Sequence, residues 1–94
     1  MEKGFQALLV RITGRVQGVG FRFWTLEEAE RLGLCGWVRN ERDGSVKALI
    51  AGPEAAVSAM LKRLREGPPG SVVSDVVSEA ASMDDLPQDF SITR

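Results

Sequence analysis

The sequence contains no histidine and no tyrosine, and its 94 residues include a single cysteine, Cys35. Histidine is the usual general base near neutral pH and a common metal ligand. We therefore expect any catalysis here to use other groups, with no metal and no other cofactor. One cysteine excludes a disulfide within the chain and a cysteine-rich zinc site, and we expect Cys35 to be an apolar filler rather than a nucleophile. Arginine, asparagine and backbone amides remain as the candidate chemistry.

Net charge and long apolar runs are also scarce. The formal net charge is −1, so the chain lacks the strong positive field of a general nucleic-acid-binding protein. No apolar run approaches the roughly 18 residues that a membrane-spanning helix needs. The opening stretch, MEKGFQALLV, has too short an apolar segment and no small-residue cleavage site for a signal peptide. We expect a cytoplasmic protein that binds neither nucleic acid nor membrane.

The chain does contain a regular series of strand-like and helix-like segments, with apolar side chains at the spacing of each. The predicted elements are a strand over 6–13, a helix over 22–33, two extended runs around an Asp43-Gly44 turn, a helix with Pro53 as its first residue and its end at 67–70, a strand over 71–81 with a bulge, and a last strand over 90–94. This order predicts an α+β fold, the ferredoxin-like split βαβ sandwich, with an antiparallel sheet and two helices on one face. We expect one domain over 1–94.

The glycine-rich stretch GRVQGVGFR, residues 14–22, joins the first predicted strand to the first helix. At such a junction the first N–H groups of the helix have no intrahelical partner, and the helix dipole favours an anion. Gly18 and Gly20 allow positive φ angles that bring neighbouring N–H groups together, and Arg22 adds a planar charged fork. The stretch predicts an anion site. The alternative is a glycine loop without a ligand, with Arg22 as a solvated charge.

A second stretch, GWVRN, ends in Asn40 near the end of a strand that this fold brings close to the first one. The Asn40 amide offers a donor and an acceptor without a charge, so beside a phosphate it could position a water. Its other interpretation is a turn residue that begins the hairpin. We also expect Val16, Val19 or both to anchor the glycine loop in the core, and Trp24 to be partly exposed near the mouth of the pocket.

Together, ITGRVQGVGFR and GWVRNERDGSVKALIAG resemble the two signatures of the acylphosphatase family, and LGLCGWVRN and GPPG also fit. The resemblance covers nearly the whole chain. It implies a ferredoxin-like fold and hydrolysis of the carboxyl–phosphate bond of acyl phosphates to carboxylate and inorganic phosphate. By matching position, it implies that Arg22 binds the phosphate and that Asn40 orients the attacking water. The residues whose backbone N–H groups it assigns to the phosphoryl oxygens are Gln17, Gly18, Val19, Gly20 and Phe21.

Alternatives to this interpretation differ in class. A non-catalytic module of the same fold could bind phosphate or another small anion, but simple binding does not need a water positioner such as Asn40. An RNA-recognition domain has a similar element order, yet the candidate central strands carry no aromatic residue on which bases could stack. Acylphosphatase-like segments also begin larger hydrogenase-maturation proteins, and the chain length favours a free-standing enzyme. We expect a monomer, because no apolar stripe predicts a dimer.

The resemblance leaves the activation of the water open. No residue near the two motifs is an obvious general base. The water is therefore activated by the substrate's own phosphate oxygen or needs little activation, and the sequence does not decide between these two routes.

Overall fold

The computed structural model of the protein describes residues 4–93, which form a five-stranded sheet and two helices. The elements are β1 Phe5–Arg15, α1 Phe21–Arg31, β2 Cys35–Asn40, β3 Val46–Pro53, α2 Glu54–Glu66, β4 Val72–Ala80 and β5 Phe90–Ile92. This order confirms the ferredoxin-like α+β fold. Arg94, the last residue of the predicted strand 90–94, and residues 1–3 of the predicted domain lie outside the described residues.

The strand order in the sheet is β4-β1-β3-β2-β5. Four strands pair antiparallel as predicted, but β5 pairs parallel to β2, with Gly36 opposite Phe90 and Val38 opposite Ile92. The sheet is therefore mixed. The physical reason is the path of the chain: β4 ends at the end of the sheet where β2 begins, and residues 81–89 cross along that end, so β5 must run in the same direction as β2.

The alternation of β1 builds the face that the helices cover. Val10 and Ile12 are fully buried, whereas Arg11 between them is exposed on the opposite face. From α2, the side chains that pack into this core are Val57, Met60 and Leu64, all fully buried. From α1, they are Phe21, Thr25 and Ala29. Residues at helical spacing thus meet residues at strand spacing in a single apolar layer.

Two local predictions have different outcomes. The pairing of β1 with β4 shifts between Thr13 and Gly14, which agrees with the bulge predicted in the strand over 71–81. Pro53 was expected as the first helical residue, and that was wrong by one position. Its ψ of 142° is extended, so Pro53 ends β3 and serves as the N-cap of α2, which begins at Glu54. No helix within residues 4–93 is long and apolar enough to span a membrane.

Candidate active site

The candidate site lies at the end of the sheet where β1 and β2 both end. These two strands run in the same direction because each pairs antiparallel with β3, which lies between them. At this end Val46 of β3 pairs with Ile12 on one side and with Asn40 on the other. The glycine loop after β1 and the hairpin turn after β2 are therefore neighbours.

In the loop over residues 16–20, the valines pack into the core and the glycines leave free space beside the backbone. Val16 is 1% exposed, and the partly buried Val19 packs against the core, as the sequence predicted for both. Gly18 and Gly20 have φ angles of 74° and 77°, a backbone region that glycine adopts at little cost. A Cβ atom at either glycine would have no neighbour within 4 Å, so the space beside this backbone is open.

The N-terminus of α1 faces this space without a cap. Gly20 is the N-cap residue, and its carbonyl accepts a hydrogen bond from the N–H of Trp24 at 3.0 Å, but no side chain caps the helix. Within the described residues, the N–H groups of residues 17–20 donate to no protein acceptor. A row of unused N–H donors at the positive end of a helix dipole favours an anion.

A pocket of about 280 Å³ opens at this point. Its walls consist of Val16, Gly18, Gly20, Phe21, Arg22, Phe23, Asn40 and Ile92. The fold thus brings together both side chains singled out in the sequence and three of the predicted backbone residues. Gln17 and Val19 do not line the pocket, because their side chains point into other contacts.

The two predicted side chains both lack protein partners. Arg22 is exposed and makes no ion pair with a carboxylate of residues 4–93. The Oδ1 atom of Asn40 is buried and has no hydrogen-bond partner among the same residues. A buried acceptor without a partner costs about 1–3 kcal/mol.

Gln17 has a role that the sequence did not predict. Its Nε2 atom donates hydrogen bonds to the backbone carbonyls of Glu41 at 2.8 Å and Ser45 at 2.9 Å. These carbonyls belong to the turn that follows Asn40. The sequence signal was limited to a long amide with two N–H donors in a loop, and no local pattern identifies acceptors so far along the chain.

The acidic residues of this turn are paired with arginines. Glu41 accepts a hydrogen bond from Arg39 at 2.7 Å, and Asp43 accepts one from Arg11 at 2.6 Å. Neither carboxylate lines the pocket. Their negative charge is thus partly compensated beside the pocket that Arg22 lines.

Hydrogen bonds within the turn also hold Asp43 in its ionised form. The Ser45 hydroxyl donates to Oδ1 of Asp43 at 2.6 Å, and the Ser45 N–H donates to the same atom at 3.0 Å. Together with the guanidinium of Arg11, these donors lower the pKa of Asp43 from 3.8 to about 2, and the Ser45 hydroxyl is the largest cause. The turn therefore keeps its hydrogen-bonded form well into the acid range.

Trp24 is partly exposed, as expected, but it does not line the pocket near whose mouth it was expected. It is partly buried, packs edge-on against Phe21 with 5.5 Å between ring centroids, and lies under the guanidinium of Arg63 at 5.4 Å. Arg63 in turn donates to Glu28 at 3.1 Å, which ties α2 to α1. Since successive helical residues point in different directions, Phe23 lines the pocket and Trp24 faces the second helix.

Cys35 and the other metal-binding residue types lie apart from this pocket. The Cys35 thiol is half-buried in β2 and donates to the carbonyl of Ala51 at 3.6 Å. Across residues 4–93, no group of three or more His, Cys, Asp or Glu side chains is arranged to hold a metal ion. The pocket itself offers one guanidinium, one amide and backbone N–H groups.

Comparisons with known proteins agree with the fold described above and with the family resemblance of the sequence. The family model described as Acylphosphatase matches residues 8–92. An acylphosphatase of Rhizobium meliloti (strain 1021) is 67% identical, over 100% of this chain and 99% of the relative. A structure of an acylphosphatase from Coxiella burnetii superimposes with a TM-score of 0.91 at 34% identity, covering 99% of both chains. The acylphosphatase from Bacillus subtilis gives 0.90 at 36% identity, covering 97% of this chain and 100% of that one.

The fold and these relatives define a small hydrolase of ferredoxin-like architecture. The chain belongs to the acylphosphatase family and is an enzyme of that class. Membership implies an acyl phosphate as substrate and phosphate as product. It also decides between the enzyme and the non-catalytic anion-binding module, in favour of the enzyme.

Proposed function

We propose that the protein hydrolyses the carboxyl–phosphate bond of acyl phosphates in the pocket between the glycine loop and the end of β2. The backbone N–H groups of residues 17–21 hold the phosphoryl oxygens, Arg22 binds two of these oxygens with its fork, and Asn40 orients the attacking water. One observation carries this proposal: the uncapped N-terminus of α1, the guanidinium of Arg22 and the residue Asn40 all border one pocket.

The electrostatics of these groups suit a phosphoryl transfer, which requires mainly positioning and stabilisation of charge on the equatorial oxygens. A guanidinium about 4 Å from a unit negative charge contributes roughly 4 kcal/mol at an effective dielectric constant near 20. Preorganised N–H donors of the kind found in oxyanion holes are each worth about 3–4 kcal/mol of transition-state stabilisation. In this proposal the loop and Arg22 supply both contributions.

Asn40 supplies the positioning. Its side-chain amide forms a hydrogen bond with the water, whose oxygen then attacks phosphorus in line with the bond that breaks. A new P–O bond forms to the water oxygen, and the P–O bond to the carboxyl group breaks with its electron pair leaving on the carboxylate. The lining residues of the pocket, all within the described range, include no carboxylate and no thiol. The proton of the water passes to a phosphate oxygen of the substrate, or leaves to solvent late in the reaction.

The single domain over 1–94, the monomeric state, the absence of a metal or other cofactor and the cytoplasmic location stay predictions of the sequence. All groups in the proposed mechanism come from one chain, so a monomer contains a complete site. Size-exclusion chromatography with light scattering checks the monomer directly.

The experiment that tests the mechanism separates water positioning from phosphate binding. Asn40→Ala should lower kcat with acetyl phosphate by about 100-fold or more, the loss expected for a positioned transition-state contact. Its inhibition constant for inorganic phosphate should stay within a few-fold, because Asn40 contacts the water. An equal loss of phosphate affinity would contradict the role and make Asn40 a structural or phosphate-binding residue.

Arg22 should behave in the opposite way. Arg22→Lys should weaken phosphate inhibition almost as much as Arg22→Ala, because the lysine keeps the charge but loses the two-pronged geometry. Arg65→Lys, an exposed arginine in the last turn of α2, is the matched control and should behave as the unmodified protein. Near-normal phosphate affinity in Arg22→Lys would refute the bidentate contact.

A further inference from the structure

Part of the wall of the proposed active site is apolar and exposed to water. Phe23 in the first turn of α1 and Ile92 in β5 both line the pocket, and they are 61% and 38% exposed. Val16, almost fully buried, lines the same pocket. Large apolar side chains that stay exposed beside a polar site form a surface that a ligand can cover.

The pocket has more room than a phosphoryl group needs. Its volume is about 280 Å³. A phosphoryl group held by the loop near Gly18 and Gly20 fills only part of that volume. The remaining space adjoins the apolar side chains, and Arg22 is the single charged residue on the walls within residues 4–93.

We propose that Phe23 and Ile92 form the binding site for the acyl group, so that the enzyme selects acyl phosphates with an aromatic or bulky apolar acyl group over small or charged ones. The inference rests on the function proposed above. In an acyl phosphate the carbonyl carbon is joined to phosphorus through one bridging oxygen. A phosphoryl group held in the loop therefore keeps the acyl substituent within the same pocket.

The chemistry of the two side chains favours an aromatic group in particular. A phenyl ring gains both the burial of apolar surface and an edge-to-face or offset contact with the ring of Phe23. A methyl group covers little of either side chain. A carboxylate on the acyl group gains nothing from Phe23 or Ile92 and would lose part of its hydration there.

The test compares benzoyl phosphate with acetyl phosphate, each rate being divided by that of spontaneous hydrolysis. The unmodified protein should favour benzoyl phosphate by about tenfold in kcat/KM, the lower end of the range for a small apolar difference in a hydrophobic pocket. Phe23→Ala should reduce this ratio to near one, and Ile92→Ser should reduce it in part. Phe23→Leu, which keeps an apolar side chain, should retain most of it.

Phe5→Ala is the matched control, because Phe5 is 55% exposed at the start of β1 and does not line the pocket. It should leave the ratio unchanged. Inhibition by inorganic phosphate should stay within about twofold in each variant, since the phosphoryl group does not touch these side chains. An unchanged ratio in both Phe23→Ala and Ile92→Ser would overturn the acyl-group site.

The failure of the underlying mechanism would look different. If Asn40→Ala and Arg22→Ala kept full turnover with both substrates, the proposed mechanism would be refuted. A ratio that still dropped in Phe23→Ala would then support the acyl-group site at the same pocket. An unchanged ratio alongside inactive Asn40→Ala would overturn the acyl-group site alone.

Discussion

The side-chain amide of Gln17 donates a 2.8 Å hydrogen bond to the backbone carbonyl of Glu41, the residue directly after Asn40. The same nitrogen donates to the carbonyl of Ser45 at 2.9 Å. The glycine loop and the β2–β3 turn are thus joined by one side chain. Since the N–H donors lie on the first segment and Asn40 precedes the second, Gln17 fixes the position of the two halves of the pocket relative to each other.

The first prediction concerns a variant in which these hydrogen bonds of Gln17 are removed. Gln17→Leu keeps the size of the side chain and the backbone N–H but deletes both donors. We expect kcat to fall by about tenfold or more, because small displacements of catalytic groups are costly. The free energy of unfolding should fall by about 1–2 kcal/mol, because two hydrogen bonds are lost. Both carbonyls keep a backbone donor, the N–H of Gly44 at 3.2 Å for Glu41 and the N–H of Glu41 at 2.8 Å for Ser45. Chemical denaturation and steady-state kinetics with acetyl phosphate measure the two effects.

Gln88→Leu is the matched control, because Gln88 is exposed in the loop before β5. It should change neither quantity. A loss of stability in Gln17→Leu with unchanged kcat would mean that the link supports the fold but does not position Asn40.

The second prediction concerns the leaving group. Among residues 4–93, no side chain that lines the pocket could protonate a departing oxygen apart from the permanently charged Arg22, so we expect the enzyme to depend on groups that leave as stable anions. A carboxylic acid has a pKa of about 4, whereas an alcohol lies nearer the value of about 15.7 for bulk water. Acyl phosphates should turn over readily, an activated aryl phosphate should be slower, and an alkyl phosphate should show negligible hydrolysis.

The comparison requires equal occupancy of the phosphate site, which competition with inorganic phosphate establishes for each substrate. A variant with a damaged phosphate site, Arg22→Ala, should slow all three substrates. Turnover of an alkyl phosphate at the rate of an acyl phosphate would require a hidden general acid and would refute the mechanism.

The third prediction is a dependence of stability on pH that originates at Asp43. The pKa of the Asp43 carboxyl is lowered from 3.8 to about 2. The ionised carboxylate therefore stabilises the folded protein fully above pH 3.8, and this stabilisation is lost as the pH falls through about 2. The unmodified protein should be more stable than Asp43→Asn near neutral pH, and the difference should shrink as the pH falls. Urea denaturation between neutral pH and pH 2 measures it. A difference that stays constant over this range would contradict the assignment.

Ser45→Ala tests the cause of this shift. The Ser45 hydroxyl is the largest contributor, ahead of its own N–H and of Arg11. Without the hydroxyl, the pKa of Asp43 should move back toward 3.8. The stability lost on acidification should then be smaller than in the unmodified protein, and the loss should be complete at a higher pH, as urea denaturation over the same pH range measures.

The local features of the site could be predicted from the sequence. The positive φ angles of Gly18 and Gly20, the start of a helix at the end of the glycine loop and the buried alternation of β1 depend on residues a few positions apart. Backbone sterics and the periods of helix and strand act over that range. Residue type made Arg22 and Asn40 candidates for binding an anion and a water, and the family resemblance implied these roles.

Other features depended on the tertiary structure. The parallel pairing of β5 with β2 follows from the end of the sheet at which β4 ends. No short stretch of the sequence predicts which end that is. The link from Gln17 to Glu41 joins residues 24 positions apart, so its acceptors exist only once the sheet has brought two loops together. Phe23 lines the pocket in place of the expected Trp24. This depends on how α1 is rotated against α2, through contacts such as that of Arg63 with Trp24. Residue types and short-range periodicity thus determined the elements and the chemistry, and the packing of distant segments decided which groups face one another.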